Sequence, residues 1–268
     1  MVEFLLIDGS YYIFYRYHAL IQWWKHAKSD EPLPEDPCSN IEFMDKFKTI
    51  FILKMKEIKK KLKLKNPVIM VASDCPRSDI WRNELYPAYK KARKTNNHIG
   101  TAFKCVYNED LFKKAGAHVL FNHPHLEADD CIALTVKNIR RLSPTNFIYI
   151  ITSDMDYLQI ADDITIPTNL KYTPLQDSKQ SFKDSKKDLF CKIVMGDKSD
   201  CIPSVFNKCG IKTAEKYFNN DVLFKQKLMG NEEAQKRYEM NTKLIDFNCI
   251  PEKYVKEFNS GEFTKKLI

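Results

Sequence analysis

Residues 126–156 contain five carboxylates whose types and spacing suit metal binding: Glu127, Asp129, Asp130, Asp154 and Asp156. Carboxylates at this density repel one another, and the repulsion raises their pKa values. Divalent cations remove the repulsion, and hard oxygen ligands favour Mg²⁺ or Mn²⁺. The stretch therefore predicts a site for divalent metal ions.

The surrounding sequence places these carboxylates at the ends of two regular elements. Residues 126–141 have the apolar spacing of a helix, and Glu127 and Asp130 lie one turn apart at its start. Residues 147–151 are continuously apolar, which indicates a buried parallel strand, and Asp154 follows closely. If the helix start and the strand end are neighbours, all five charges converge on one pocket.

Two more apolar strands lead into acidic residues. Residues 3–8 end at Asp8, and residues 67–73 are followed by Asp74. An Asp after a strand often caps a helix or begins a turn. Capping explains a single carboxylate, however, more readily than acidic residues at several strand ends. Because ligands of open α/β sheets bind at the carboxyl edge of the strands, we expect Asp8 and Asp74 to join the same pocket.

A further acidic pair, Asp197 and Asp200, stands in the segment G-D-K-S-D-C-I-P. A solvent-exposed loop between helices explains this pair equally well, because Gly196 and Pro203 bracket it. Together with the first cluster, the pair suggests a second set of metal ligands. Two metal ions about 4 Å apart can generate a hydroxide and stabilise both the attacking and the leaving oxygen of phosphoryl displacement.

The order of the elements predicts an α/β fold. Strands alternate with helices as far as Pro174, with further strands expected at 118–122 and 164–167. Such alternation predicts a mostly parallel central sheet with helices on both faces. The rest of the chain shows helical and turn patterns. We therefore expect an α/β core over 1–174 and a helical region over 175–268.

The segment after the second strand is basic. Residues 76–94 combine basic and aromatic side chains, and a polar stretch follows at 95–100. This composition predicts a mobile, positively charged excursion outside the core. Seven lysines between Lys54 and Lys65 are instead assigned to the solvated end of a helix.

The amino-acid composition limits the kinds of protein that this chain can be. Of the 268 residues 44% are hydrophobic, which supports a folded core. No run approaches the roughly 18 apolar residues of a membrane span. The net charge of +8 suits a polyanionic substrate, because the acidic pocket leaves the remaining surface more basic still. The eight cysteines lack metal-site spacing and the start lacks a basic signal region, so a cytoplasmic, non-secreted protein is expected.

Five segments occur in an order that resembles the flap endonuclease/5′→3′ exonuclease family: I-D-G-S, Y-K-K-A-R, L-E-A-D-D, T-S-D-M-D and G-D-K-S-D-C-I-P. That family includes the 5′-nuclease domain of bacterial DNA polymerase I and phage 5′ exonucleases. The resemblance covers roughly residues 3–220. It implies a PIN-like sheet, a helical arch at about 75–115 and a DNA-binding helix–hairpin–helix at about 188–220.

The resemblance also implies roles for individual residues. One group would hold or orient a first metal ion: Asp8, Asp74, Glu127, Asp129 and Asp130. A second group would hold another ion, in part through water: Asp154, Asp156, Asp197 and Asp200. Lys90 and Arg93 would contact the scissile phosphate. The DNA-binding residues would be Tyr86 or Tyr89, stacking on an unpaired base, together with Lys91, Lys208, Gly210, Lys212 and Thr213.

The hairpin departs from the family pattern. It reads S-V-F-N-K-C-G-I-K-T-A, one residue longer than usual, with Ser204 in place of a glycine. The departure leaves open whether a monovalent ion binds there. The lysines and the helix N-terminus that would contact a duplex are retained.

The implied activity is that of a Mg²⁺-dependent, structure-specific 5′ nuclease with two metal ions, for which Mn²⁺ is expected to substitute. Its expected substrate is DNA with a 5′ flap, a nick or a free 5′ end, and RNA primers or RNA·DNA hybrids stay open. A monomer is expected, in a bacterial, phage or viral context that the sequence does not distinguish. Replication proteins are compatible partners, although no pattern identifies one. The alternatives are a PIN-type ribonuclease and a non-catalytic nucleic-acid-binding scaffold.

Overall fold

A computed structural model describes residues 2–93 and 98–261 of the protein. At its centre lies a five-stranded parallel sheet with the strand order β3-β2-β1-β4-β5. The strands are β1 (Glu3–Asp8), β2 (Val68–Ala72), β3 (Val119–Phe121), β4 (Phe147–Ile151) and β5 (Thr165–Thr168). The prediction of a mostly parallel sheet is confirmed.

The described α-helices alternate with the strands in the first part of the chain and follow one another after β5. Those within the sheet region are α1 (Gly9–Ala27), α2 (Ile41–Lys61), α3 (Arg82–Leu85), α4 (Ile99–Asn108), α5 (Leu111–Lys114) and α6 (Ala128–Leu142). Those beyond it are α7 (Ser185–Met195), α8 (Ile211–Asn219), α9 (Asp221–Met229), α10 (Glu232–Ile245) and α11 (Glu252–Ser260). Within the described residues, no helix is long and apolar enough to cross a membrane.

The central strand β1 aligns the ends of its two neighbours. Asp8 pairs with Ala72 of β2, and Ile7 pairs with Ile151 of β4. The strand order reverses around β1, which in open α/β sheets creates a crevice at the carboxyl edge. The register therefore brings the segments that follow β1, β2 and β4 to one place.

Alternating side chains of the strands bury the sheet on both faces. Leu5 and Ile7 point into a core formed with α1, α2, α4 and α5. Leu6 and Ile150 point into a second core formed with α6 and with Phe247 and later residues of the C-terminal segment. Helices thus cover both faces, as predicted, and the chain returns to the sheet at its C-terminal end.

The start of α1 lies unusually close to β2. A Cβ atom on Gly9 would lie 2.6 Å from the carbonyl oxygen of Ala72 and 3.2 Å from a methyl carbon of Val71. Real Cβ atoms do not approach backbone this closely, so the contact requires glycine at this position. Asp8 caps the helix by accepting a hydrogen bond from the backbone N–H of Tyr11 at 3.0 Å.

The segment after β2 differs from its prediction. Trp81 and Arg82 are each 2% exposed and pack inside the protein, so the prediction of a mobile excursion outside the core is wrong for these residues. The reason is a buried carboxylate: the Trp81 indole and the Arg82 guanidinium both donate to Asp130. Residues 94–97, which belong to the predicted arch and polar stretch, lie outside the described residues.

The helices after β5 form their own small cores. Val194 of α7, Ala214 of α8 and Phe224 of α9 are buried together. The loop 196–210 joins α7 to α8, and this pair of helices occupies the region predicted for the helix–hairpin–helix. That the pair binds DNA stays a prediction.

Candidate active site

Asp74 connects β2 to the first turns of two helices. One of its carboxylate oxygens accepts from the hydroxyl of Ser10 in α1 at 2.5 Å, and the other accepts from the backbone N–H of Ala128 in α6 at 2.8 Å. α1 and α6 lie on opposite faces of the sheet. Asp74 therefore fixes both helix starts relative to the carboxyl edge of the strands.

Asp8 lies next to Asp74 in the crevice. Besides capping α1, its second oxygen lies 3.5 Å from the hydroxyl of the buried Tyr157. Burial, and then the negative charges of Asp74 and Asp154, raise the pKa of Asp8 to about 7. This carboxyl therefore holds a proton more readily than an exposed aspartate does.

Glu127 and Asp130 are buried with cationic partners at the start of α6. Both oxygens of Asp130 accept from the guanidinium of Arg82 at 2.7 Å, and one also accepts from the Trp81 indole at 2.9 Å. Arg82 also donates to Glu127 at 3.0 Å and to the carbonyl of Leu244 at 2.7 Å. These hydrogen bonds engage both oxygens of Asp130 and orient the start of α6. Direct binding of a metal ion by Asp130 stays a prediction.

Glu127 receives two more donors from the segment after β2. Lys90 forms an ion pair with it, and the hydroxyl of Tyr89 donates to it at 2.9 Å. Burial alone would raise the pKa of Glu127, but the charges of Lys90 and Arg82 outweigh burial and lower it. Glu127 is therefore an ionised residue that holds Lys90 in the crevice.

Asp129 lies between these two acids but has a different environment. Carboxylate oxygens of Glu127, Asp129 and Asp130 lie within 4.8 Å of one another. Burial and the charges of Asp130 and Glu127 raise the pKa of Asp129 well above its ordinary value. The described residues include no salt-bridge partner for Asp129, so it is a carboxylate that a metal ion would stabilise.

The segment after β4 supplies two further acids. One oxygen of Asp154 accepts from the backbone N–H of Asp156 at 2.9 Å. Desolvation by the surrounding protein and the charge of Asp156 raise the pKa of Asp154 to about 6. Asp156 itself points to a lysine, Lys192, whose ammonium lies 2.8 Å from its Oδ1.

Lys192 also forms an ion pair with the second acidic segment. Its ammonium lies 2.6 Å from Asp197, whose other oxygen accepts from the backbone N–H of Ser199 at 2.7 Å. Burial opposes ionisation of Asp197, but Lys192 and Ser199 lower its pKa to about 2. Lys192 is not among the site residues predicted from the sequence. The available signal is its place between the apolar Cys191 and Ile193 in the segment that leads to Asp197.

Asp200 joins the two halves of the site. It forms an ion pair with Arg93, lies 3.8 Å from the ammonium of Lys90, and its backbone carbonyl accepts from the N–H of Lys90 at 3.0 Å. Lys90 has a positive φ of 54°, a strained conformation that these contacts maintain. The structure therefore brings Lys90 and Arg93 to the acidic residues, as expected for a basic pair at the site.

The nine predicted acidic ligands thus divide into two groups. Five of them form salt bridges with basic side chains: Glu127, Asp130, Asp156, Asp197 and Asp200. The other four have no salt bridge to any described residue and line one open cavity of about 1050 Å³: Asp8, Asp74, Asp129 and Asp154. Converging carboxylates without salt-bridge partners among the described residues, three of them with raised pKa values, fit a site for a hard divalent cation.

A model of the N-terminal, resolvase-like domain of 5′-3′ exonucleases matches residues 3–188. The chain belongs to this family. It is 29% identical over 223 residues to a 5′-3′ exonuclease of Buchnera aphidicola subsp. Baizongia pistaciae, a match that spans 80% of this chain but only 65% of that protein.

Two phage proteins are also similar. Ribonuclease H of Enterobacteria phage T4 is 27% identical over 216 residues, which make up 73% of this chain and 69% of that protein. A flap endonuclease of bacteriophage T5, solved as a pseudo-enzyme–product complex with DNA and metal ions, has the same fold: the TM-score is 0.63, at 17% identity and 96% coverage of both chains. The predicted PIN-like architecture is confirmed.

Aromatic residues of this 5′-3′ exonuclease family member occupy two different positions. Tyr89 is 7% exposed, and Tyr86 is half-buried and donates its hydroxyl to the carbonyl of Cys201 at 3.1 Å. Base stacking by these tyrosines stays a prediction. Phe14 and Phe103 line the cavity instead, with ring centroids 5.3 Å apart, and Phe14 is 42% exposed. Phe14 belongs to an aromatic run in the first turns of α1.

The predicted hairpin residues lie apart from the cavity. Lys208, Gly210 and Lys212 are exposed at the start of α8, Thr213 is half-buried, and none of them lines the cavity. Gly210 stands at the N-cap without a capping side chain, which leaves the first amides of α8 available to an anion. Lys91 is exposed beside Lys90. Their contacts with DNA stay predictions.

Proposed function

We propose that the protein is a divalent-metal-dependent 5′ nuclease that hydrolyses phosphodiesters near free 5′ ends of DNA. The observation that carries this proposal is the cavity at the carboxyl edge of the sheet. Four carboxylates without salt-bridge partners among the described residues line it, together with Lys90 and Arg93, which are held there by Glu127 and Asp200. Family membership supports the proposal, as do the names of the relatives.

The carboxylates would hold the metal ions in two sets. Asp8, Asp74 and Asp129 would be ligands for a first ion, and Asp156 and Asp197 for a second. Asp154 lies close enough to Asp8 and Asp156 for their charges to interact and would assist either set, and Asp200 would flank the second. Bound Mg²⁺, or Mn²⁺ in its place, would activate water as the nucleophile and offset the charge that develops on the phosphate.

Lys90 and Arg93 would supply positive charge to the scissile phosphate. Glu127 holds the Lys90 ammonium inside the cavity, and its proximity raises the pKa of Lys90 above its ordinary value despite burial. Lys90 is therefore a permanent cation rather than a base. Charge placed in advance where negative charge develops lowers the barrier, because it needs no reorganisation during the reaction.

The DNA would contact two surfaces of the protein. Phe14 and Phe103 offer an aromatic wall on which an unpaired base can stack beside the carboxylates. Lys208, Lys212 and the N-terminus of α8 would contact the phosphates of the duplex, which supplies affinity rather than sequence specificity.

Cleavage assays on defined substrates test the proposal. We expect a 5′-flap DNA and a nicked duplex to be cut in Mg²⁺ and left intact in EDTA. Asp154→Asn combined with Asp156→Asn should abolish cleavage while DNA binding persists, because the basic surface is unchanged. The control is Asp163→Asn, an exposed acid in the turn before β5, at the opposite edge of the sheet. Full turnover by the double variant would refute the assignment of the site.

An RNA·DNA hybrid belongs in the same assay. The phage T4 relative carries the name ribonuclease H, which favours hydrolysis of an RNA strand as a second candidate activity. Cleavage of the hybrid at a rate comparable to that of flap DNA would extend the proposed substrate to RNA primers. Binding of all substrates without cleavage of any would instead support a non-catalytic scaffold.

A further inference from the structure

Lys192 occupies the centre of the second acidic set. Its ammonium lies 2.8 Å from Oδ1 of Asp156 and 2.6 Å from Oδ2 of Asp197, so a single cation bridges two carboxylates from different segments. The three side chains are between 16% and 23% exposed, which leaves the charges poorly hydrated. A cation in this position is part of the charge balance of the site.

The two carboxylates depend on Lys192 to different degrees. Asp197 also accepts two hydrogen bonds from Ser199, at 2.6 and 2.7 Å. Oδ1 of Asp156 is buried and has no hydrogen-bond partner of good geometry among the described residues, so Lys192 is its compensation by charge alone. An oxygen of this kind is available to a better-placed cation.

The side chain of Lys192 can also move away from the two carboxylates. Its helix is anchored through the buried Cys191, Ile193 and Val194, while its own side chain lines the open cavity. A lysine carries a compact charge on a flexible stem of four carbons, so the ammonium can move by rotamer changes while the backbone stays fixed. Displacement of Lys192 therefore requires no rearrangement of α7.

We propose that the Lys192 ammonium and the second divalent ion compete for the carboxylates of Asp156 and Asp197, so that this ion binds only as Lys192 swings into the cavity. The first set has no equivalent lysine, because Asp8, Asp74 and Asp129 lack salt-bridge partners among the described residues. The two ions therefore bind with unequal affinity, and the first set fills first. This inference rests on the proposed function in taking the second set as a metal site.

A Mn²⁺ titration followed by electron paramagnetic resonance of the free ion tests the competition without relying on catalysis. In the wild-type protein we expect one tight and one weak site. Lys192→Met should tighten the weak site tenfold or more and leave the tight site unchanged. Lys187→Met is the matched control, because Lys187 lies on the same helix and pairs at 2.7 Å with Glu215, away from the cavity. An unchanged or weaker second site in Lys192→Met, or one site in every protein, would overturn the proposal.

A second measurement uses the unmodified protein. Acylation of lysines by an amine-reactive ester, quantified by mass spectrometry, should increase severalfold at Lys192 as Mn²⁺ fills the weak site, while Lys187 stays constant. Constant or decreasing acylation of Lys192 would contradict displacement. The two proposals fail separately: exchange without DNA cleavage would remove the nuclease assignment alone, and metal-dependent cleavage with an unresponsive Lys192 would remove the exchange alone.

Discussion

Replacement of Arg82 by methionine should destabilise the protein more than replacement of any surface arginine. The side chain is 2% exposed and donates to Asp130 through two nitrogens, to Glu127 and to the carbonyl of Leu244. Methionine keeps much of the volume but leaves Asp130 buried without its counter-charge. Removing one partner of a buried ion pair costs about 3–5 kcal/mol, a large part of the roughly 5–15 kcal/mol that stabilises a typical domain.

Arg82→Lys separates charge from geometry. Lysine keeps the positive charge but cannot form the two parallel bonds to Asp130, so we expect an intermediate loss of about 1.5–3 kcal/mol, the value of one hydrogen bond to a charged group. Arg237→Lys is the matched control. Arg237 is partly exposed and pairs with Glu233 one turn away, so this change should cost less than about 0.5 kcal/mol.

Urea denaturation in EDTA, followed by circular dichroism, measures these differences as changes in the free energy of unfolding. EDTA is needed because a metal ion that binds only the folded state would mask the loss. If Arg82→Met lowers the free energy of unfolding by less than about 1 kcal/mol, or no more than Arg237→Lys does, the buried network does not stabilise the fold as argued.

Three further predictions concern the site. The pKa of Asp8 is raised from 3.8 to about 7, so the folded protein retains a proton that the unfolded chain releases; this stabilisation is lost as the pH rises through about 7. Thermal melts in EDTA should therefore show a falling Tm from about pH 4 to pH 7, and Asp8→Asn should flatten the decline; equal slopes would contradict the assignment. Lys90→Ala should lower the single-turnover rate at saturating DNA by about 10²-fold or more, and a change of only a few-fold would exclude Lys90 from the chemistry. Lys208→Ala with Lys212→Ala should weaken duplex binding in Ca²⁺ and flatten its salt dependence by up to about two units, whereas an unaltered slope would mean that DNA does not contact this hairpin.

Much of the fold follows from local patterns in the sequence. The apolar runs at 3–8, 67–73 and 147–151 form strands of the parallel sheet, which places the residues after β1, β2 and β4 at one edge. Asp8, Asp74 and Asp154 converge because the parallel strands end at the same edge of the sheet. Once the strand ends can be recognised in the sequence, these site residues can therefore be predicted.

The pairing of charges could not be predicted in the same way. Arg82 and Asp130 are 48 residues apart, and the composition around Arg82 resembles an exposed basic segment. Lys192 stands on a helix with other lysines that do reach solvent, such as Lys186. Which basic side chain faces a carboxylate depends on how helices dock, and that information is absent from local periodicity. The sequence therefore identifies the carboxylates but not which of them already have partners.

Gly9 sets the spacing of the carboxylates in the crevice, although it carries no functional group itself. Because any Cβ at this position would collide with the carbonyl of Ala72, the first turn of α1 can rest directly on the end of β2. Asp8 and Ser10 flank this glycine, and Ser10 bonds to Asp74. A methyl group here would push apart two carboxylates that it never touches. The spacing of the site thus depends on the absence of a side chain at Gly9. A variant of Gly9 would behave as an active-site mutant although every acidic residue of the site is retained.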